Sequence, residues 1–361
     1  MDDIKMQGEN LIFLISQPRA GSTLLQRILE NHLEIHTTPE PWLMLHPMYA
    51  LRSNSYEAEY NHNLAQVAVN DFLQTLPKAE ETYFEGIRRM HTYLYECALA
   101  DSGKRYFLDK TPRYYHIIPE LYRTFPKAKF IILLRNPLAV LSSIISTWVK
   151  KDWYKLSQHE HDLITAPQLL INGIEVIGEE NCLVIQYEEL LKSPESTVKT
   201  ICKKLDIEFI PGMLNYGIKN THQDGFGYKD QKKDVYLTGK PNHQNVHKWI
   251  DNLNNPQTWQ VVNDYLEILD PAIVKQMGYS YEELRQIVDV QRPYPSNLWR
   301  TLPLTWLTSS PDAKKHWKYH LLQIEKSLQQ RGFSNTVIRM FQNLIEFNNK
   351  TNKSILTKFI M

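Results

Sequence analysis

Cysteine is scarce in this chain. Cys97, Cys182 and Cys202 are its only thiols in 361 residues. They form no even set and lack the close spacing of a metal site, which argues against a disulfide scaffold and a cysteine-held metal and for buried thiols in a reducing compartment. Net charge is nearly absent too: 41 Lys and Arg against 40 Asp and Glu leave +1, so nothing global calls for nucleic acid as a partner. Long hydrophobic runs are missing. The N-terminal stretch opens Met-Asp-Asp and offers one six-residue run, Leu11–Ser16, before Gln17. That is too short for a signal peptide or membrane anchor, and a cytoplasmic setting is expected. No internal repeat or low-complexity tract appears.

With 42% hydrophobic and 22% charged residues, the chain can bury one large α/β domain with additions. Short β-rich runs alternate with helical patterns, which predicts βαβ units and a central parallel sheet between helical layers. Strands are expected at 11–16, near 35–37, and at 105–109, 128–134 and 181–186. Helices are expected at 114–124, with Ile117, Ile118, Leu121 and Tyr122 on one stripe, and at 194–205, after Ser193 as N-cap and Pro194 at the first helical position. Residues 41–104 and 145–180 read as mostly helical insertions that together cover an acceptor pocket.

The most telling stretch is 11–23, an apolar strand running into Gln17-Pro18-Arg19-Ala20-Gly21-Ser22-Thr23 and at once into a helix. The backbone N–H groups of residues 20–23 then lie at a helix N-terminus, where unpaired donors and the positive dipole end attract a phosphate. The loop differs from G-x-x-x-x-G-K-[ST], in which Lys reaches the outer phosphates and Ser/Thr binds magnesium. Gly21 keeps the second glycine, Ser16 replaces the first, Ser22 stands in the Lys position, and the positive charge has moved to Arg19. The strand at 130–134 ends in Arg135 rather than in an acid that would hold a metal. Ligands of open parallel sheets bind at the strand C-terminal ends, and Arg19, Lys110, Arg135 and Tyr187 fall just beyond four separate strands.

The loop resembles the 5'-phosphosulfate loop of sulfotransferases that use 3'-phosphoadenosine-5'-phosphosulfate (PAPS). Arg135-Asn136-Pro137 with Ser143 resembles their 3'-phosphate motif. Leu108-Asp109-Lys110-Thr111-Pro112-Arg113 and Gln186-Tyr187-Glu188-Glu189-Leu190-Leu191 agree in order and spacing, and Gly239-Lys240-Pro241 leading to His247-Lys248-Trp249 is a weaker fifth block. The resemblance spans roughly residues 10–250 and favours the tyrosylprotein and bacterial branch. It implies a P-loop-type three-layer α/β/α fold and a sulfotransferase domain over residues 1–290. It also implies roles. Arg19 and Lys110 stabilise the transferring group, and Ala20, Gly21, Ser22 and Thr23 hold the 5'-phosphate. Arg135 and Ser143 hold the 3'-phosphate, with Lys248 and the backbone at Gly239 closing over it, and Tyr187 meets the adenine. Trp249 is read as packing.

The base is the open assignment. Pro112 occupies the position where the cytosolic branch carries its His, whereas Glu40, between Pro39 and Pro41 and near Trp42, matches the Glu of the tyrosylprotein branch. Partial desolvation there would suit a general base. His36 and His116 are reserves. His159-Glu160-His161 and His243/His247 lack a third ligand, so no metal is expected. Thr147 stands where the tyrosylprotein branch carries a further Arg, which removes one nucleotide contact. The expected activity is sulfuryl transfer to a hydroxyl or amine of a small-molecule or carrier-bound acceptor. The alternatives are a P-loop kinase of a small metabolite and a nucleotide-binding adaptor.

Residues 291–361 change character, with eleven Lys and Arg against Asp312, Glu325 and Glu346, a local net charge of +8. Two amphipathic helices are expected there, at 312–331 and 334–348, packed on the domain with a basic face outward. Docking to an acidic carrier protein or an anionic membrane surface is the alternative.

Overall fold

The computed structural model describes residues 7–53, 58–150, 153–215, 241 and 246–293. Its centre is β1 (Leu11–Ser16), buried on both faces as a strand must be when helices cover both sides of a parallel sheet. Four strands join it, all parallel: β2 (Ile35–Thr37), β3 (Tyr106–Lys110), β4 (Lys129–Leu134) and β5 (Cys182–Gln186), in the order β2-β3-β1-β4-β5. The α/β expectation therefore holds, with β3 displaced by one residue from its expected range. Lys110 closes the strand instead of following it.

Alternation along β1 divides the core. Phe13 and Ile15 pack with Phe107, Phe130 and Ile132 on one face, and Ile12 and Leu14 with Leu108, Ile131 and Leu133 on the other. Each such side chain contributes about 1.5–3 kcal/mol of burial. The second face is covered by α1 (Ser22–Glu30), α8 (Tyr187–Lys192) and α9 (Pro194–Leu205). Of the stretch 41–104, α2 (Leu45–Tyr49), α3 (His62–Gln74) and α4 (Glu80–Ala100) are helical; α4 buries Phe84, Ile87, Tyr95 and Leu99 against the first face.

The expected helix at 114–124 is split. Pro112–Ile117 forms a 3-10 turn and α5 covers only Ile118–Thr124. Pro119 has no N–H to donate and its ring crowds the carbonyl four residues back, so a continuous α-helix cannot pass through it. Residues 194–205 are helical as expected, but the Ser193 side chain does not cap them; its carbonyl accepts from Thr197 N–H at 3.0 Å.

After β4, α6 (Pro137–Ile144) runs into a π-helical turn, Ile145–Val149. A 3-10 segment (Trp153–His159) and a second π-helical turn (His161–Thr165) follow. They lead into α7 (Ala166–Ile177), whose Leu170, Ile171 and Ile177 are buried on the first face of the sheet on the way to β5. Helices 256–268 and 281–290 pack with α6 in a further apolar cluster that includes Trp249. Gly239 and residues 294–361, with both expected tail helices, lie outside the described residues.

Candidate active site

Register brings the functional ends together. Leu14 pairs with Lys110, Ser16 with Leu133 and Leu134 with Gln186, so the residues that end or follow β1, β3, β4 and β5 share one edge of the sheet. From Ser16 the chain turns tightly, with Ala20 N–H bonded to Gln17 carbonyl at 3.2 Å, through Arg19 at φ 70° and Gly21 at φ 99°. Only glycine takes the second of these without cost. A Cβ on Gly21 would also lie 2.4 Å from two ring carbons of Tyr187, so space and backbone both demand glycine. No side chain caps α1, and its first turn carries no acid. Its first amides and the positive end of its dipole are a binding place for an anion.

Two arginines meet at this loop. Arg19 donates through Nε to Ser143 Oγ and through Nη2 to Thr147 Oγ1, both at 3.2 Å, and its guanidinium lies over the Trp148 ring at 5.4 Å. Arg135 donates through Nη1 to the Arg19 carbonyl at 2.8 Å and stacks on Tyr187 at 4.3 Å. Such a cation–π contact is worth about 0.5–2 kcal/mol. Arg135 Nε is buried without a partner, a donor that an incoming anion would satisfy. Groups at the ends of β1 and β4 and on α6 are thus joined, and the guanidiniums of Arg19 and Arg135 share one locality. Ser143, expected to work with Arg135, is bonded to Arg19.

The other half of the cluster is built on β3. Lys110 is 3% exposed and its ammonium pairs with Glu40 Oε1 at 2.7 Å, with Thr23 Oγ1 at 3.3 Å. Burial pulls its pKa down while Glu40 pushes back. Glu40 Oε2 accepts from Trp42 Nε1 at 3.2 Å. One residue earlier, Asp109 is buried beneath three hydroxyls, Tyr95 at 2.7 Å, Thr111 at 2.8 Å and Tyr114 at 3.0 Å. Burial raises its pKa to about 6 against the opposing pull of those donors. Asp109 thereby fixes the end of β3 from below.

The structure places the loop, Arg19, Lys110, Glu40, Arg135, Ser143 and Tyr187 in one connected cluster at the sheet edge. Lys248 begins a short helix, 248–251, that packs near α6 through Asn252 Nδ2 on Ser142 Oγ at 2.8 Å; its own side chain is exposed. The reserve histidines stand elsewhere. His36 packs edge-on to Phe107. His116 stacks beside Tyr115 and faces His161, and burial lowers its pKa to about 4, a poor base at neutral pH. Sequence reasoning missed Trp148 and Asp162 as neighbours of the loop. Thr147, which stands where a further nucleotide-binding Arg would be, accepts a hydrogen bond from Arg19.

The model of the family described as "Sulfotransferase family" matches residues 11–211, more than half of the chain. The chain belongs to the sulfotransferase family. It is 38% identical over 229 residues to nodulation protein NoeE of Sinorhizobium fredii, covering 58% of this chain and 53% of that protein. It therefore spans about half the length of NoeE. To protein-tyrosine sulfotransferase A of Caenorhabditis elegans it is 27% identical over 290 residues, 79% of this chain and 69% of the relative. Among solved structures, the sulfotransferase domain from the curacin biosynthetic pathway is similar at 20% identity with a TM-score of 0.48, over 74% of this chain and 97% of that domain. No helix among the described residues is long and apolar enough to cross a membrane.

Proposed function

We propose that this sulfotransferase takes its sulfuryl group from PAPS and passes it to a hydroxyl or amine of a small-molecule or carrier-bound acceptor. The observation that carries the reading is the contact chain Ser143–Arg19–Arg135–Tyr187 on one side of the loop and Thr23–Lys110–Glu40–Trp42 on the other. A doubly phosphorylated nucleotide fits it. The uncapped N-terminus of α1 and the Ser22 and Thr23 hydroxyls hold the 5'-phosphate. Arg135, with its unpaired Nε, and Ser143 hold the 3'-phosphate, and Tyr187, stacked under Arg135, borders the adenine end.

When bound, PAPS supplies an activated sulfuryl group whose departure leaves negative charge on its phosphate. Arg19 and Lys110 are the cations placed to offset that charge in a site shielded from water. Glu40 takes the acceptor's proton, its Oε2 oriented by Trp42 and its Oε1 beside Lys110. Ser22 in place of a loop lysine is what disfavours phosphoryl transfer from ATP.

The test has two arms. Calorimetry with adenosine 3',5'-bisphosphate should show tight binding that Arg135→Ala abolishes. Incubation with labelled PAPS and a metabolite extract should yield products heavier by one sulfuryl group, and a peptide library in parallel scores a protein tyrosine as acceptor. Magnesium-dependent ATP turnover without bisphosphate binding would overturn the reading in favour of a kinase. Bisphosphate binding with no transfer product from either pool would overturn it in favour of an adaptor.

A further inference from the structure

Asp162 lies on the second π-helical turn and is 2% exposed, yet it collects four donor contacts. Arg113 bonds bidentately, Nε to Oδ1 at 3.0 Å and Nη2 to Oδ2 at 2.6 Å; Tyr115 donates to Oδ1 at 2.9 Å, and His159 Nδ1 lies 3.2 Å from Oδ2. Burial alone would raise its pKa, but His159, Arg113 and Tyr115 together hold it below the ordinary carboxylate value. A buried ion pair that served stability alone could be exchanged for apolar packing at little cost. Two of these partners do more than satisfy the charge, because each bears on a tryptophan of the reaction site.

The Arg113 guanidinium lies over the Trp42 ring at 5.4 Å, and Trp42 Nε1 holds Glu40 Oε2. His159 stacks on Trp148 at 4.7 Å and 20°, and the Arg19 guanidinium lies over the same indole at 5.4 Å. A third tether runs through the backbone, with Gln17 Nε2 bonded to the Asp162 carbonyl at 2.8 Å. One carboxylate thus anchors an arm to Glu40 and an arm to Arg19, on opposite sides of the loop.

We propose that Asp162 is a positioning residue that fixes Trp42 through Arg113 and Trp148 through His159, and so sets Glu40 and Arg19 relative to each other. The proposal rests on the reading of Glu40 and Arg19 given above, and extends it to a residue that touches neither. Trp42 needs such a brace: at φ 55° it holds a backbone conformation unfavourable for a bulky side chain, one that persists only where its surroundings impose it.

The test uses the full chain labelled with 15N-tryptophan, the indole N–H resonances of Trp42 and Trp148 being assigned with Trp42→Phe and Trp148→Phe. Asp162→Asn should move both resonances, Arg113→Gln that of Trp42 alone, and His159→Gln that of Trp148 alone. Acceptor-free cleavage of PAPS by water should fall about tenfold or more in Asp162→Asn while the dissociation constant for adenosine 3',5'-bisphosphate stays within about threefold. A merely structural carboxylate would not separate the two arms. Unmoved resonances in Asp162→Asn, or single-arm variants that move both indoles alike, would overturn the proposal. If Asp162→Asn does not fold, the two single-arm variants decide alone. A wild-type chain that binds no bisphosphate would strike the nucleotide reading and leave the indole test standing.

Discussion

Replacing Lys110 by Met removes one partner of an ion pair almost closed to water, and the structure sets the size of the effect. Lys110 and Glu40 are 3% and 12% exposed and 2.7 Å apart. Breaking such a pair from one side costs about 3–5 kcal/mol, because the remaining charge is left desolvated. Trp42 Nε1 still reaches Glu40 in the variant, which places Lys110→Met near the lower end, about 3 kcal/mol. Glu40→Gln keeps a carbonyl facing the ammonium, and Thr23 Oγ1 remains, so about 1.5–3 kcal/mol is expected. In the double variant neither charge is stranded. The two losses should then fall short of additivity by about 1–3 kcal/mol. Urea unfolding of the full chain at neutral pH, read as a shift in midpoint at constant slope, measures all three. Losses that add to within about 0.5 kcal/mol would show that the two side chains do not share a buried pair, and the assignment of Glu40 and Lys110 to one reaction centre would fall with it.

Three further outcomes follow from the same geometry. Gly21→Ala meets the Tyr187 ring at 2.4 Å on a backbone at φ 99°; it should cost about 1–3 kcal/mol of stability and more than about tenfold in bisphosphate affinity, and unchanged calorimetry would refute the cradle. Arg135→Lys cannot both stack on Tyr187 and bond the Arg19 carbonyl, so bisphosphate affinity should drop by about 10–100-fold with stability nearly unchanged, and an affinity within about twofold would remove Arg135 from the site. The buried carboxylates should show opposite pH slopes. Asp109 titrates near 6 in the folded chain, so the folded state binds the extra proton between about pH 4 and 6 and its contribution, at most roughly 3 kcal/mol, is lost as pH rises through that window. Asp162, held low, contributes at neutral pH and loses that contribution as pH falls below its ordinary value. Asp109→Asn and Asp162→Asn should each flatten its own slope in unfolding experiments across the acid range, and matching slopes would contradict the assignments.

β1 and β4 were readable because each is an apolar run buried on both faces, and burial is what hydrophobic pattern reports. The loop was readable because Arg19, Gly21, Ser22 and Thr23 are neighbours in sequence and act through the backbone they share. Legibility ended where a partner is remote. Arg113 and Asp162 are 49 residues apart, Arg19 and Thr147 are 128 apart, and Gln17 and Asp162 are 145 apart. Periodicity states which face is buried and not what it meets. His159 and His161 showed the same limit: read as a metal pair and set aside, they instead flank the carboxylate knot, one on Asp162 and one facing His116. The split at Pro119 is different, since its cause was visible in the sequence and the apolar stripe outweighed it.

Backbone strain marks the same boundary. Five described residues other than glycine have positive φ, and three of them frame the site: Arg19 in the loop, Trp42 beside Glu40, and Lys150 at the end of the π-helical turn that carries Thr147 and Trp148. Each such conformation costs of order 1–3 kcal/mol and persists only where the fold overdetermines it. The first two are visibly restrained. Arg135 holds the carbonyl of Arg19, Ser143 and Thr147 hold its side chain, and Trp42 is fixed between Glu40 and the Arg113 arm of Asp162. The sheet therefore sets where the site lies, to within a strand end. The orientation of its base and its loop cation is set by side chains that strain the backbone locally and are themselves anchored to one buried carboxylate. Trp42→Gly would relieve that strain but also delete the indole N–H on Glu40 Oε2 and the ring under Arg113, so it should loosen Glu40 as surely as removing Asp162 does.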